Sequence, residues 1–420
     1  MKKIQQYLLF DDYKLSCQSS LIGNLVALLM ALSVCSLVSG FLFMIPGKHT
    51  LYYAACGLSL IYLIFSGGIT INKRMLLFYI VIVLNVLVLP IHPMFRSQER
   101  AAAFIFVTLV CSPAISSQAA IAYRERLFKY ALIGFSILTI LSFFCFFLGI
   151  NMMPFNREGS MELYDDYMNV GGKFSGLFNH SMIFGPIAAI VSIVHFNLYL
   201  KDQSKIRLLL FFICVMACVF SASRGALLAL FLGIAFVMYK AKVTKSSYIS
   251  FRKVFGLATF VGLATIPLAD VAFSGLLNKM EITQDQTGGY NSRDRKYNAR
   301  LYEFSESPIL GVGFASIDIT TGDAYQSSSG QIEPGTAHFA VLAQTGLVGM
   351  TAYIIMLWGA LKAVRRRTSV SSNIAYSLFW LFFGHGWAEG WIFAPGGMIC
   401  FIFWLSISLC YDIEYKELYE

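Results

Sequence analysis

The sequence predicts an all-α, polytopic integral membrane protein with about 12 transmembrane helices and two long outer loops. Three observations lead there. Of 420 residues, 57% are hydrophobic and 13% are charged, against roughly 25% charged in a soluble domain. Mean hydropathy is +0.66. The apolar residues come in long runs rather than amphipathic stripes, and runs of about 18 or more are what a bilayer core of roughly 30 Å demands. A soluble enzyme, a disordered chain and a nucleic-acid-binding domain are excluded, despite a formal charge of +9.

The expected spans, in order, are Leu21–Ile45, Leu51–Ile69, Met75–Val88, Ala101–Ile121, Lys129–Ile150, Ser181–Leu200, Arg207–Ser221, Gly225–Tyr239, Val254–Val271, Ala337–Leu361, Asn373–Trp387 and Gly397–Tyr411. The fourth contains polar residues and Pro113, and the eleventh is short. Residues 1–420 form one transmembrane domain on this reading. An even number of spans puts both termini on one side. With the N-terminus inside, the inner segments hold 21 of the 32 Lys and Arg residues and the outer segments 11. The positive-inside rule therefore places both termini in the cytoplasm. Anionic lipid headgroups suit such basic runs, and no nucleic-acid partner is needed.

Cysteine usage points away from disulfide and metal chemistry. Eight of nine cysteines lie in or beside spans, Cys17 lies in the N-terminal segment, and none falls in an outer loop. No CxxC or His/Cys cluster suggests a metal ligand set. No cleavage-site pattern follows the N-terminal basic residues, so the first span reads as retained.

Two outer loops carry the polar chemistry: 151–180, and the longer 273–336, which is expected to carry the active site. Loops this long are usually functional or disordered, and their aromatic and Gly punctuation favours function. In NSRDRKYNARLYEF, Arg293, Lys296 and Arg300 are spaced i, i+3, i+7, so a helix would align three cations for a multiply charged anion. A solvated charged loop, with Asp294, Glu303 and Glu306 nearby, explains the same spacing equally well. Arg224, in SASRGALLAL, heads a helix at the outer surface, where exposed amides favour anions and a guanidinium adds a bidentate partner. A snorkelling interfacial Arg is the plainer alternative. His180, His338, Glu333 and Glu389 lie at helix mouths, and each taken singly fits a structural role better than a catalytic one, although polar side chains converging at a bilayer surface are functional candidates. His49, His92, His195 and His385 have no supporting context.

Four ordered segments, KFSGLFNHSMIFGPIAA, SASRGALLAL, RLYEFSESPILGVGF and EPGTAHFAVLAQTGLVG, resemble the O-antigen ligase and polymerase superfamily. The closing AEGWIFAPGGMICFIFWL resembles the end of the polymerase branch. The resemblance runs over roughly Lys173 to Leu405. It implies a bacterial cytoplasmic-membrane enzyme acting on undecaprenyl-diphosphate-linked glycans at the outer face; with no DxD-like ligand set in an outer loop, no metal or cofactor is expected. It also implies a chain-length regulator and a flippase as pathway partners. Arg224 and Arg300 fall on the family's arginine motifs for the diphosphate. Where the ligase branch places a His at a helix head, this chain has Gly335, with His338 about one turn later. The EPG-type motif looks more like polymerases of O-antigen, capsule or exopolysaccharide.

The implied reaction is glycosyl transfer. An acceptor hydroxyl attacks the donor's anomeric carbon, and lipid diphosphate leaves while Arg224 and Arg300 hold its charge. Neither arginine is expected to build the bundle core. Glu333, His180 or His338 could take the hydroxyl proton. The alternatives are an O-antigen ligase that delivers glycan to lipid A-core and a glycolipid transporter or flippase. Against the latter stand the lack of an internal repeat and the scarcity of charge within spans.

Overall fold

The computed structural model describes residue 10 and residues 20–40, 47–66, 70–151, 174–243, 294–318 and 335–419. Among them, helices occupy eleven of the twelve expected span positions. They are α1 (Leu21–Val38), α2 (Lys48–Phe65), α3 (Lys73–Val88), α4 (Ser97–Cys111), α5 (Gln118–Phe147), α6 (Ser181–Asp202), α7 (Lys205–Phe220) and α8 (Arg224–Val243). After α9 (Asp294–Glu306) come α10 (Ala337–Arg365), α11 (Val370–Ala388) and α12 (Met398–Tyr419). The ninth expected span, Val254–Val271, lies outside the described residues. Five of the described helices (α1, α5, α6, α10 and α12) are long and apolar enough to cross a membrane. The protein is a multi-pass helical membrane protein.

Polar side chains start these helices by capping their first amides. Ser20 Oγ accepts from Gly23 N, Asn72 Oδ1 from Arg74 and Met75 N, Ser117 Oγ from Ala120 N, and Ser369 Oγ from Ser372 N. Burial separates central from peripheral helices. The most apolar stretches of α6 and α12 are 89% buried, whereas those of α1 and α5 are 39% buried. On α1, Leu25, Leu28, Leu29 and Leu32 are exposed, a lipid-facing surface that no soluble monomer would leave open.

The structure corrects the fourth and fifth spans. Instead of running from Ala101 to Ile121, α4 stops at Cys111, because Pro113 has a fixed φ and no N–H to continue it. Ile115–Ser116 then pairs antiparallel with Thr70–Ile71 in a two-stranded ribbon (β1 Thr70–Ile71, β2 Ile115–Ser116). Gln118–Ile121 instead belong to α5, which begins well before the expected Lys129. Its charged first turns read as a loop in the sequence, yet Arg124 is buried and ion-paired. Its Nη2 lies 2.5 Å from Asp412 Oδ1 and its Nε donates to Oδ2 at 2.9 Å.

One helix is bent by an inserted chain segment. Residues 308–315 lie along α10 and bond to its backbone: Val312 N donates to Ala343 O, Gly313 N to Gln344 O, and Leu347 N to Pro308 O. Gly346 takes φ 62°, ψ −162° inside α10, and Gly311 and Gly313 have φ of 75° and 116°. Such backbone is open to glycine and strained for other residues. Asn85 fixes the insertion from α3, donating to Leu310 O at 2.6 Å and accepting from Phe314 N at 2.5 Å. The segments SPILGVGF and QTGLVG are thus two halves of one joint.

Candidate functional site

The ends of six described helices meet at one end of the bundle: the starts of α6, α8 and α10, the ends of α7 and α11, and the flank of α9. Small residues allow the approach. A Cβ on Gly185 of α6 would lie 2.6 Å from Ser221 Oγ, and one on Gly225 of α8 would lie 2.6 Å from Ala388 Cβ on α11. Across the next gap, Thr336 Oγ1 donates to Gly386 O at 2.9 Å, and Tyr297 Oη of α9 donates to Trp387 O at 2.7 Å.

Arg224 is the first residue of α8. The turn before it is tight: Ala222 holds φ 49°, Ser221 Oγ accepts from Ser223 N, and Ser223 O receives Leu227 N. This geometry puts a half-buried guanidinium at the positive end of a helix. His385 of α11 reaches the same place, its Cδ2 lying 3.9 Å from where a Cβ on Gly225 would be.

The cation row on α9 is formed in part. Lys296 and Arg300 are one turn apart on one face, and Arg293 lies outside the described residues. The two differ in environment. Lys296 is half-buried, and its methylenes press on Gly335 so closely that a Cβ there would sit 2.7 Å from Lys296 Cβ and Cδ. Arg300 is 3% exposed, with Nη1 2.8 Å from Glu303 Oε2, and Glu303 Oε1 also accepts from Asp318 N at 2.9 Å. The expectation that Arg300 stays out of the core is therefore corrected: it belongs to a buried ion pair that ties α9 to the chain beyond it.

Each histidine at this end has at least one ring nitrogen bonded to a neighbour. His180 N-caps α6, Nδ1 accepting from Met182 N at 3.0 Å, while the ring is exposed. His338 is buried, with Nε2 2.9 Å from Phe383 O and Nδ1 3.4 Å from Tyr353 Oη. A carbonyl cannot donate, so Nε2 carries the proton and Nδ1 accepts. His385 Nδ1 accepts from Trp391 Nε1 at 2.8 Å. In each neutral ring the basic nitrogen is occupied by a fixed partner. Glu333 lies outside the described residues. Among the described residues no group of three His, Cys, Asp or Glu side chains could hold a metal.

Residues 209–354, from α7 to the Gly346 bend of α10 and just beyond, match the family model described as O-antigen ligase. Over that segment, about a third of the chain, the sequence is similar to the O-antigen ligase family. No curated protein matches the chain. The matched segment contains Arg224, Arg293, Lys296, Arg300, Glu333 and His338, so six of the seven site residues expected from sequence fall inside it, and His180 lies before it. His385, Trp387 and Tyr297 were missed. Only Trp387, in the WAEGW run, carried a local signal; the others matter through contacts with distant chain.

Proposed function

We propose that the protein polymerises undecaprenyl-diphosphate-linked oligosaccharide repeat units into O-antigen, capsule or exopolysaccharide, working at the outer face of the cytoplasmic membrane with both termini inside. The observation that carries the polymerase reading is Gly335. The ligase branch places a His there, but here φ is +79° and the space a side chain would need is filled by Lys296. His338, the nearest substitute, is turned inward and bonded at both nitrogens.

The chemistry follows from charge. As the bond from the anomeric carbon to the diphosphate breaks, negative charge grows on the leaving oxygens. Arg224, placed where the α8 amides also point outward, and Lys296 stabilise that charge. Arg293 extends the row, and Arg300 both joins it and, through Glu303, fixes α9 in register. With the three histidines committed, Glu333 is the general base that takes the acceptor hydroxyl's proton. The acceptor oxygen bonds to the anomeric carbon, and the polyprenyl diphosphate departs as an anion. A chain-length regulator and a flippase of the same pathway are the expected partners.

The deciding experiment is the glycan pattern of a deletion strain. Loss of a polymerase leaves a single repeat unit attached to lipid A-core. Polymer retained on undecaprenyl diphosphate instead makes the protein a ligase.

A further inference from the structure

A second arginine pair borders a cavity of about 610 Å³ at the same end of the bundle, lined by Arg96, Glu99, Arg100, Tyr53, Gln344 and the stretch from Ile392 to Gly396. Ala340 and Gln344 put it against α10. His338 lies two and six residues away from these, which is the other side of that helix at 100° per residue. The cavity and the Arg224 side therefore flank one helix without merging.

Its walls are held in place. Tyr52 Oη donates to Pro395 O at 3.1 Å, and Trp404 Nε1 and Cys400 Sγ both reach Ile392 O, at 3.3 and 3.2 Å. Gln344 Oε1 receives Ala315 N at 3.0 Å. The arginines, in contrast, sit where helix stability does not ask for them. Arg96 immediately precedes α4 and Arg100 is one turn later, although basic residues oppose the dipole at a helix start. Arg96 also holds the left-handed φ of 49°, strained for a residue with a Cβ. Its side chain is 68% exposed, with Glu99 only 3.6 Å away.

We propose that this cavity is the acceptor site, binding the anionic, sugar-bearing head of a second lipid-linked glycan. The inference rests on the polymerase reading, because joining two lipid-linked glycans requires both to be held at once. The residue types suit that head. Two guanidiniums grip anionic oxygens, Glu99 accepts from sugar hydroxyls, and Tyr53 offers a ring face to a pyranose. The anion is either the acceptor's diphosphate or an acidic group on its sugars.

The test is equilibrium binding of purified lipid-linked repeat unit to the full chain in nanodiscs, with chain extension measured on the same samples. The wild type should bind two equivalents. Arg96→Ala with Arg100→Ala should keep one, and Arg224→Ala should keep the other. Each single cavity variant should raise the acceptor KM roughly ten- to hundredfold, on the scale of one charge-assisted contact, with donor KM unchanged. Competition at the cavity by farnesyl diphosphate would identify the diphosphate as the bound group. Competition by the released, lipid-free glycan would identify a sugar-borne acid. Two equivalents retained by the double variant, with acceptor KM unchanged, would overturn the proposal. If lipid A-core takes the cavity instead and no extension occurs, the cavity is still an acceptor site and the polymerase reading fails. Arg96→Gln with Arg100→Gln, which keeps a polar, unbranched side chain at the exposed Arg96 and the half-buried Arg100, guards against misfolding.

Discussion

At the end of the bundle away from the site, cations are sealed in. Arg124 is fully buried, gives two hydrogen bonds to Asp412 and donates to Ile115 O. Lys240 donates to Val364 O and to Ser372 Oγ, tying the end of α10 to the start of α11. Arg207 lies under the Phe10 ring and 3.0 Å from His195 Nδ1. At the site end, Arg224 and Lys296 are half-buried and Arg96 is largely exposed, each at or beside a helix start or a glycine contact. A guanidinium sealed in the interior by fixed acceptors has no geometry left for a ligand, while one partly exposed at a helix start does. Burial and partner identity, rather than charge, separate scaffold cations from binding ones, and Arg300 shares features of both.

The comparison can be broken most forcefully at the sealed end. Arg124→Ala would strand Asp412 as a buried, uncompensated carboxylate, a loss of about 3–5 kcal/mol. The expected outcome is a severe fall in inserted, folded protein, read by membrane yield and thermal melting. Wild-type yield would show that water reaches this pair and that the end is not sealed.

Arg300 sharpens the comparison because it sits between the two behaviours. Arg300→Ala should cost stability for the same reason, on the order of 3–5 kcal/mol through the orphaned Glu303. Arg300→Gln combined with Glu303→Gln should restore much of the yield, since neutral amides can bond to each other. Polymer formed per unit of folded protein should nevertheless stay low in the double variant. Full activity there would reduce Arg300 to a scaffold residue.

These particulars show what the sequence made legible. Long apolar runs marked the helices directly, since bilayer thickness sets their length. Arg224 stood out because a basic residue on the outer side runs against the topological bias. Arg300 looked solvated because Glu303, three residues on, suggests a surface pair, and nothing local reveals that Asp318 N and the surrounding chain close over it. His338 looked available because its partners, Phe383 O and Tyr353, come from elsewhere in the chain. The Arg96–Arg100 cavity was invisible for the same reason: its far wall is residues 392–396. Pro113 was visible, but not the early start of α5, which depends on Asp412 neutralising Arg124.

A smaller effect is expected from His338. His338→Ala removes two internal hydrogen bonds, about 1–2 kcal/mol of stability, and should lower polymer per folded protein by less than about tenfold. Glu333→Gln should cost more, within the roughly hundredfold or greater range of a general base. Assays of both variants at matched protein levels check the order. A strong activity loss confined to His338→Ala would favour ligase chemistry.

The central claim is that the half-buried arginine at the start of α8 holds the donor's diphosphate. It is tested most directly by polymer formed per unit of inserted protein for Arg224→Ala and Arg224→Lys. Loss of one preorganised charge-assisted contact should cost roughly 2–4 kcal/mol in transition-state stabilisation, which is about 30- to 1000-fold in rate. Lysine should rescue poorly, since it offers a point charge in place of a planar fork, and melting should stay near wild type. Near-wild-type polymer from Arg224→Ala would contradict the account and leave Arg224 as an interfacial anchor.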